Sequence, residues 1–421
     1  MEKKQFSYKW VILFSCFLMV FVCLGISSGT KSLYLAPITQ ALGINRSMYS
    51  LNDSFRHIST AIVNLFFGTL IYKFGVKKMI ALGFILQIAS ILTYAYATNL
   101  VMLCIAGCLL GSGFVFTSAT MVSAVIRRWC HTNLGKYTST ILAANGLGAA
   151  VGSPIVNPII NRPGDLFAYR QAYLLTAAVM AITGIIVLLL IRETPKNEPV
   201  NSRIDSGKKA KNAGWEGISF SQAKKQVFFY LACLGIFLTG MMLQGIYGIY
   251  AAHMRDVGLN TALVATMAST LALALTFSKI VVGFLYDRFG IRTVLLACQS
   301  FAVICFILFI LIAPSVTGII IAFGFCITFS LALPLETVVI PLMTNDLFGI
   351  ASYEKILGIF MAMNYAGFAM GAPVINLVFD RTGSYIPAMI AMTGFMIVIL
   401  MVFQFGIKRI QNHNAGSKTK E

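Results

Sequence analysis

The sequence predicts an all-α membrane protein of twelve transmembrane helices, arranged as two pseudo-symmetric six-helix bundles. Mean hydropathy is +0.83. Of 421 residues, 58% are hydrophobic and only 11% are charged, a balance outside that of water-soluble domains. Apolar stretches long enough to cross ~30 Å of hydrocarbon recur along the chain. Two motifs also recur, at offsets of about 215 and 219 residues, so a unit of roughly half the chain is used twice around a central site.

The first six spans fall near 10–38, 48–72, 79–98, 101–126, 136–160 and 168–191. The second six fall near 226–251, 262–286, 293–313, 317–343, 356–379 and 385–407. Lys3, Lys4 and Lys9 precede a first apolar run that is too long for a cleavable signal and lacks a small-residue cleavage site. Residues 1–192 then form the N-terminal bundle, 193–225 a cytoplasmic linker, 226–409 the C-terminal bundle and 410–421 a cytoplasmic tail. The linker is rich in Lys, Asn, Ser, Gly and Pro, and Pro195 and Pro199 stop the sixth helix. Its end, from Gly214 to Gln226, reads either as a short amphipathic surface helix or as a solvated tether.

The formal net charge is +18. With the N-terminus in the cytoplasm, almost all Lys and Arg outside the spans fall on the inner side. Arg46, Arg162, Arg170, Arg255 and Arg381 fall on the outer side. This asymmetry places both termini in the cytoplasm, in a cell (inner or plasma) membrane. The basic excess therefore sits at anionic headgroups and is not a nucleic-acid footprint. Eight of the nine cysteines lie in apolar spans, where a thiol packs as a small hydrophobe. Cys104 and Cys108 stand one turn apart without a third ligand, so no metal or other cofactor is expected.

The first repeated motif is Gly283-Phe-Leu-Tyr-Asp287-Arg288-Phe-Gly290-Ile-Arg292, echoed by Gly68-Thr-Leu-Ile-Tyr72-Lys73-Phe-Gly75-Val-Lys77. It falls at a tight turn between spans. Gly283 allows a neighbouring helix to come close. Asp287 can accept from a helix N-terminus or a basic side chain, and Arg288 and Arg292 anchor the turn at the headgroups. Tyr72 replaces the acid in the first copy, so an acid latch is expected only in the second half. The second motif joins Asn145, Gly148, Gly152 and Pro154 to Asn364, Gly367, Gly371 and Pro373. Glycines for close packing and a proline that frees a carbonyl suit helices that bend as two halves rock.

An ionisable residue at membrane depth costs about 2.5–3.5 kcal/mol on insertion scales, so each needs a reason. Lys31, Asp53, Arg56, Lys279 and Glu336 stand out, with His57 as a titratable neighbour. Counted at ~1.5 Å per residue from the helix ends, Lys31, Asp53 and Arg56 share the outer half, which makes a Lys31–Asp53 pair plausible. Asp53, Arg56 and His57 share one helix face and read as a gating or proton-coupling group. By the same count Lys279, Glu336 and Asn364 sit near one level, a little below the midplane. A Lys279–Glu336 pair would offset much of each burial cost. Protonation of Glu336 would then free Lys279 to receive a carboxylate. Tyr34, Asn145, Gln244, Tyr247 and Tyr250 are further candidates for a cavity wall, with Tyr247 and Tyr250 as an aromatic pair.

Four segments carry a family resemblance. The Gly283–Arg292 line resembles the signature loop of the major facilitator superfamily. Arg128-Trp129-Cys-His-Thr-Asn-Leu-Gly135, running into Asn145-Gly-Leu-Gly148, and Thr344-Asn345-Asp346-Leu-Phe-Gly349 are similar to segments of oxalate:formate antiporters and their monocarboxylate-transporter relatives. Gly29-Thr-Lys31-Ser32 followed by Leu35-Ala-Pro37 resembles the first span of monocarboxylate transporters, where a lysine serves substrate and proton binding. Lys279 stands where both families place a substrate-binding arginine, which keeps the cation but loses the bidentate fork. Leu275 replaces an acid of the monocarboxylate transporters, and Asn364 replaces a second cation of the oxalate antiporters.

The resemblance implies a secondary active carrier of a small organic anion, a monocarboxylate, working by alternating access as a monomeric functional unit. Proton-coupled symport is the first reading and anion exchange of the oxalate/formate type the second. A non-transporting membrane sensor of the same fold is the alternative from another class. An enzyme is disfavoured because no nucleophile–base set or phosphate loop is present.

Overall fold

The computed structural model describes residues 2–44, 46–130, 132–160, 162, 165–192 and 218–418. Most of the expected linker, residues 193–217, lies outside them, including Pro195 and Pro199. So do Asn161, Pro163 and Gly164, which would have extended the second repeat.

Lipid offers no hydrogen-bond partners, so each spanning segment must satisfy its own backbone, and these segments are helical. Twelve spanning helices are traced among the described residues. The first six are α1 (Tyr8–Leu35), α2 (Arg46–Phe74), α3 (Val76–Tyr96), α4 (Leu100–Trp129), α5 (Leu134–Ile160) and α6 (Tyr169–Leu190). The second six are α7 (Val227–Asp256), α8 and α9 (261–289 and 291–310), α10 (Val316–Phe348), α11 (Tyr353–Thr382) and α12 (Ile386–Lys408). The α8–α9 pair is continuous except at Gly290, whose φ of 77° turns the chain. Gly75, its counterpart between α2 and α3, has φ 83°. Only glycine adopts such angles at little cost, which explains the repeated glycine of the loop motif. Large apolar side chains such as Ile85, Leu189 and Phe405 are 62–74% exposed, as a lipid-facing surface requires.

Several helices are not regular. The first passes through a π-helical stretch, Phe21–Ser28, and a turn before resuming as Lys31–Leu42. The tenth breaks after Ala332 and continues through a π stretch, Leu335–Val339. The fourth is interrupted at 116–118. Beyond α12 the helix continues to Lys418, through most of the segment expected to be a tail. The end of the expected linker contains a four-residue helix, Phe220–Ala223, begun by a Ser219–Gln222 capping box.

Glycines set the close contacts. Within the first half, a Cβ on Gly25 would lie 2.5 Å from Gly148, and one on Gly29 would lie 2.5 Å from Ala149, drawing α1 onto α5. Within the second half, a Cβ on Gly371 would lie 2.6 Å from the Met241 carbonyl, drawing α7 onto α11. The repeated motif thus packs pseudo-equivalent pairs.

Candidate functional site: the seam between the halves

Two seams join the halves, and both are tight at the end where Lys73, Arg128, Lys136, Arg288 and Lys355 gather, here called the basic end. In the α5–α8 seam a Cβ on Gly283 would collide with Ser139 Oγ and the Gly135 carbonyl. Asp287 Oδ1 accepts from the Gly135 N–H at 3.0 Å, and Oδ2 accepts from the Lys136 N–H at 2.8 Å. The acid of the loop motif therefore caps a helix N-terminus, the first of the two partners open to it. Arg292 instead donates to Gln404 Oε1 at 3.1 Å, and the Arg288 guanidinium lies 5.3 Å from the Phe289 ring centre.

In the α2–α11 seam a Cβ on Gly68 would lie 2.6 Å from the Lys355 nitrogen, and one on Gly358 would lie 2.5 Å from the Asn64 carbonyl. Arg128 reaches across from α4, donating through Nε and Nη2 to Glu354 Oε1 at 3.1 and 3.0 Å. Tyr72, in the place of the missing acid, is 93% exposed. The Arg128–Glu354 bridge is invisible in the sequence because 226 residues separate its members. Both also sit at the headgroup level, where charge is unremarkable.

Farther from the basic end the seams carry the deep charges. Lys279 is 6% exposed and donates at 3.5 Å to the Leu142 carbonyl of α5, across the seam. Glu336 is 5% exposed, and its Oε1 accepts no hydrogen bond from the described residues. The expected Lys279–Glu336 pair is met only in part: the two lie within electrostatic reach of each other, but among the described residues they make no direct ion pair. Counting height by residue assumes an unbroken α-helix, whereas Glu336 sits in the π stretch just past the break in α10.

Asn364, 1% exposed, donates through Nδ2 to the Glu336 carbonyl at 3.3 Å, while its Oδ1 accepts nothing from the described residues. Pro341, five residues on, has no N–H to give that carbonyl in a π register, so the asparagine supplies the missing donor. Next to it Tyr365 faces the first half. The His57 ring stacks 6.2 Å from Tyr365 and meets Phe368 edge-on at 5.5 Å.

In the first half Lys31 donates to Asp53 Oδ1 and, at 2.9 Å, to Asn52 Oδ1. Tyr94 donates to the same Asn52 oxygen at 2.9 Å. Arg56 Nε lies 3.5 Å from Asp53 Oδ1, its Nη1 donates to Ser28 Oγ at 3.0 Å, and its Nη2 is 3.4 Å from His57 Nε2. The structure thus brings Lys31, Asp53, Arg56 and His57 into one cluster. Asn52 joins it without any signal in the sequence, since a neutral amide in an apolar helix carries no charge.

The remaining candidates are dispersed. Tyr34 is 2% exposed and stacked on Tyr173 with centroids 4.0 Å apart, which turns it into the first half and away from the seams. Asn145 and Gln244 are half-buried. Tyr247 is 43% exposed, with ring centres of Tyr250 and Phe329 at 6.0 and 6.4 Å.

Two glycine-packed halves thus meet in seams that carry buried, unevenly compensated charge. The family model of the Major Facilitator Superfamily matches residues 13–345 and 232–420. The chain belongs to the Major Facilitator Superfamily. It is accordingly a multi-pass membrane transporter and not an enzyme. It is 26% identical over 392 residues to the uncharacterised MFS-type transporter YcxA of Bacillus subtilis (strain 168), covering 90% of each chain. It is 24% identical over 286 residues to the sialic acid transporter NanX of Escherichia coli (strain K12), covering 67% of each. It is 22% identical over 437 residues to human monocarboxylate transporter 12, covering 96% of this chain and 82% of that one. Among solved structures it is similar to the transporter FucP in the outward conformation, with a TM-score of 0.67, 17% identity, and 94% and 97% of the two chains covered. That likeness shows the fold.

Proposed function

We propose that this superfamily member carries a small organic anion, a monocarboxylate, across the cell membrane by alternating access, coupled to protons. Both termini and the basic end face the cytoplasm, in keeping with the charge asymmetry. The reading rests on Lys279. A buried ammonium has three donors, and among the described residues this one makes a single long hydrogen bond, to Leu142. A carboxylate arriving in the seam would offset its burial cost, which an apolar cargo could not do. NanX and monocarboxylate transporter 12 are both named for carboxylic acids, which supports an acid as cargo here.

Glu336 is the proton acceptor in this reading. Its side chain is buried, its Oε1 lacks a partner among the described residues, and the neutral acid is cheaper to bury than the carboxylate. Obligate exchange is the second reading, favoured by the same Lys279. An unloaded carrier would have to return with an uncompensated cation in its closed seam.

Liposomes reconstituted with the protein test both. Labelled monocarboxylates and dicarboxylates are offered with and without an inward-acid gradient. Acid-driven accumulation of a monocarboxylate supports symport, and flux only against internal anion supports exchange. Absence of flux for every acid would remove the proposal.

A further inference from the structure

We propose that Arg56 is a second anion-binding group, the point in the first half where the cargo's anionic group is met before it reaches Lys279. This rests on the organic-anion reading above and adds a site to it.

Charge accounting singles Arg56 out. Lys31 and Asp53 are joined directly, and Asn52 takes another Lys31 donor, so that lysine is already neutralised. The cluster then keeps one positive charge, and it resides on Arg56. The neighbours of Arg56 are neutral or already shared. Ser28 accepts one donor, His57 approaches a second, and Asp53 is 3.5 Å from Nε on the oxygen that also receives Lys31. A guanidinium has five N–H donors in a planar fork suited to a carboxylate.

Position supports the role. Relative to Glu354 and Gly135 at the basic end, Tyr365 is 11 residues along α11 and Leu142 is 7 along α5. These correspond to roughly 17 and 11 Å of rise. Arg56 adjoins the His57–Tyr365 contact and Lys279 adjoins Leu142, so Arg56 lies about one turn farther from the closed basic end. The Asp53 side chain beside it is 40% exposed against 17% for Arg56, so the cluster is open on that side. An anion descending toward Lys279 passes this cation first.

The first-span resemblance gives Lys31 a part in substrate binding, and its pairing with Asp53 transfers that part to Arg56. Two readouts test it. The first replaces Ser28 with cysteine and compares modification by anionic and cationic methanethiosulfonates of similar size, against the parent protein as background. The negative reagent should react at least fivefold faster than the positive one, and Arg56→Gln should erase that preference while Arg56→Lys keeps most of it. The second measures uptake of pyruvate: Arg56→Gln should raise KM at least tenfold and leave the maximal rate within about twofold. No charge preference at Ser28→Cys, or a fall in maximal rate at constant KM, would overturn the proposal and leave Arg56 a gate or a structural partner. If no carboxylate is carried at all, the organic-anion reading fails, yet the reagent comparison still decides whether Arg56 attracts anions.

Discussion

Asp287 on α8 caps helix α5 of the opposite half, accepting from the Gly135 N–H at 3.0 Å and the Lys136 N–H at 2.8 Å. First-turn N–H groups have no partner inside their own helix, and a carboxylate there also meets the positive end of the helix dipole. The contact exists only while α5 and α8 lie together. It therefore favours the state in which the basic end is shut.

Removing that cap should open the seam. Hydrogen bonds to charged groups contribute about 1.5–3 kcal/mol, reduced here because Lys136 lies at the surface. A net loss of ~1.4 kcal/mol shifts a two-state balance about tenfold. Ser139 is buried beneath Gly283 in this seam. Alkylation of a Ser139→Cys protein should accelerate about tenfold when Asp287→Ala is added, and an unchanged rate would mean the cap carries no weight.

Bulk at Gly283 should do by sterics what loss of Asp287 does by charge. A Cβ there already collides with Ser139 Oγ, and the leucine of Gly283→Leu adds three more carbons to a contact between backbones. The variant should insert and purify normally but transport at least tenfold more slowly. Uptake at the wild-type rate would show that the seam need not close.

The Lys31–Asp53 pair predicts a strongly non-additive double mutant. Asp53→Asn leaves a buried ammonium without its carboxylate and should cost about 1–3 kcal/mol, less than a fully buried pair because Asp53 is 40% exposed. Lys31→Met together with Asp53→Leu should recover most of that loss in a thermal-melting series. Additive losses would show that the two residues act independently.

The architecture is legible in the sequence because it depends on coarse quantities: apolar length, charge placement and a motif used twice. Gly283 and Asp287 can be assigned to a close-packed, capped turn since glycine and an acid at a basic helix end admit few roles. The Lys31–Asp53 pairing is reached by helix rise because the π stretch and turn before Lys31 shift its level by only a few ångströms, within the reach of a lysine side chain. For Lys279 and Glu336 the same count gives a shared level but not the contact, since Glu336 sits inside the π stretch Leu335–Val339 and residue numbers carry no trace of it. Tyr34 departs from expectation for another reason. Tyrosines near an interface pack on one another as readily as they line a cavity, and only coordinates reveal Tyr173 against its face.

Glu336→Gln separates proton coupling from binding. The amide mimics the neutral acid at every pH. If Glu336 is the proton acceptor, uptake by the variant should lose its dependence on an inward-acid gradient while anion exchange persists. Retention of the wild-type pH dependence would assign the proton to another group.

An anion carrier of this design depends on the Lys279 ammonium holding its cargo between the halves. Uptake of a labelled monocarboxylate into proteoliposomes carrying Lys279→Ala decides the matter, with Lys279→Arg alongside to show that a cation at that position suffices. Background uptake is expected for the alanine variant and substantial uptake for the arginine variant. Wild-type uptake by Lys279→Ala would contradict the role given to this lysine.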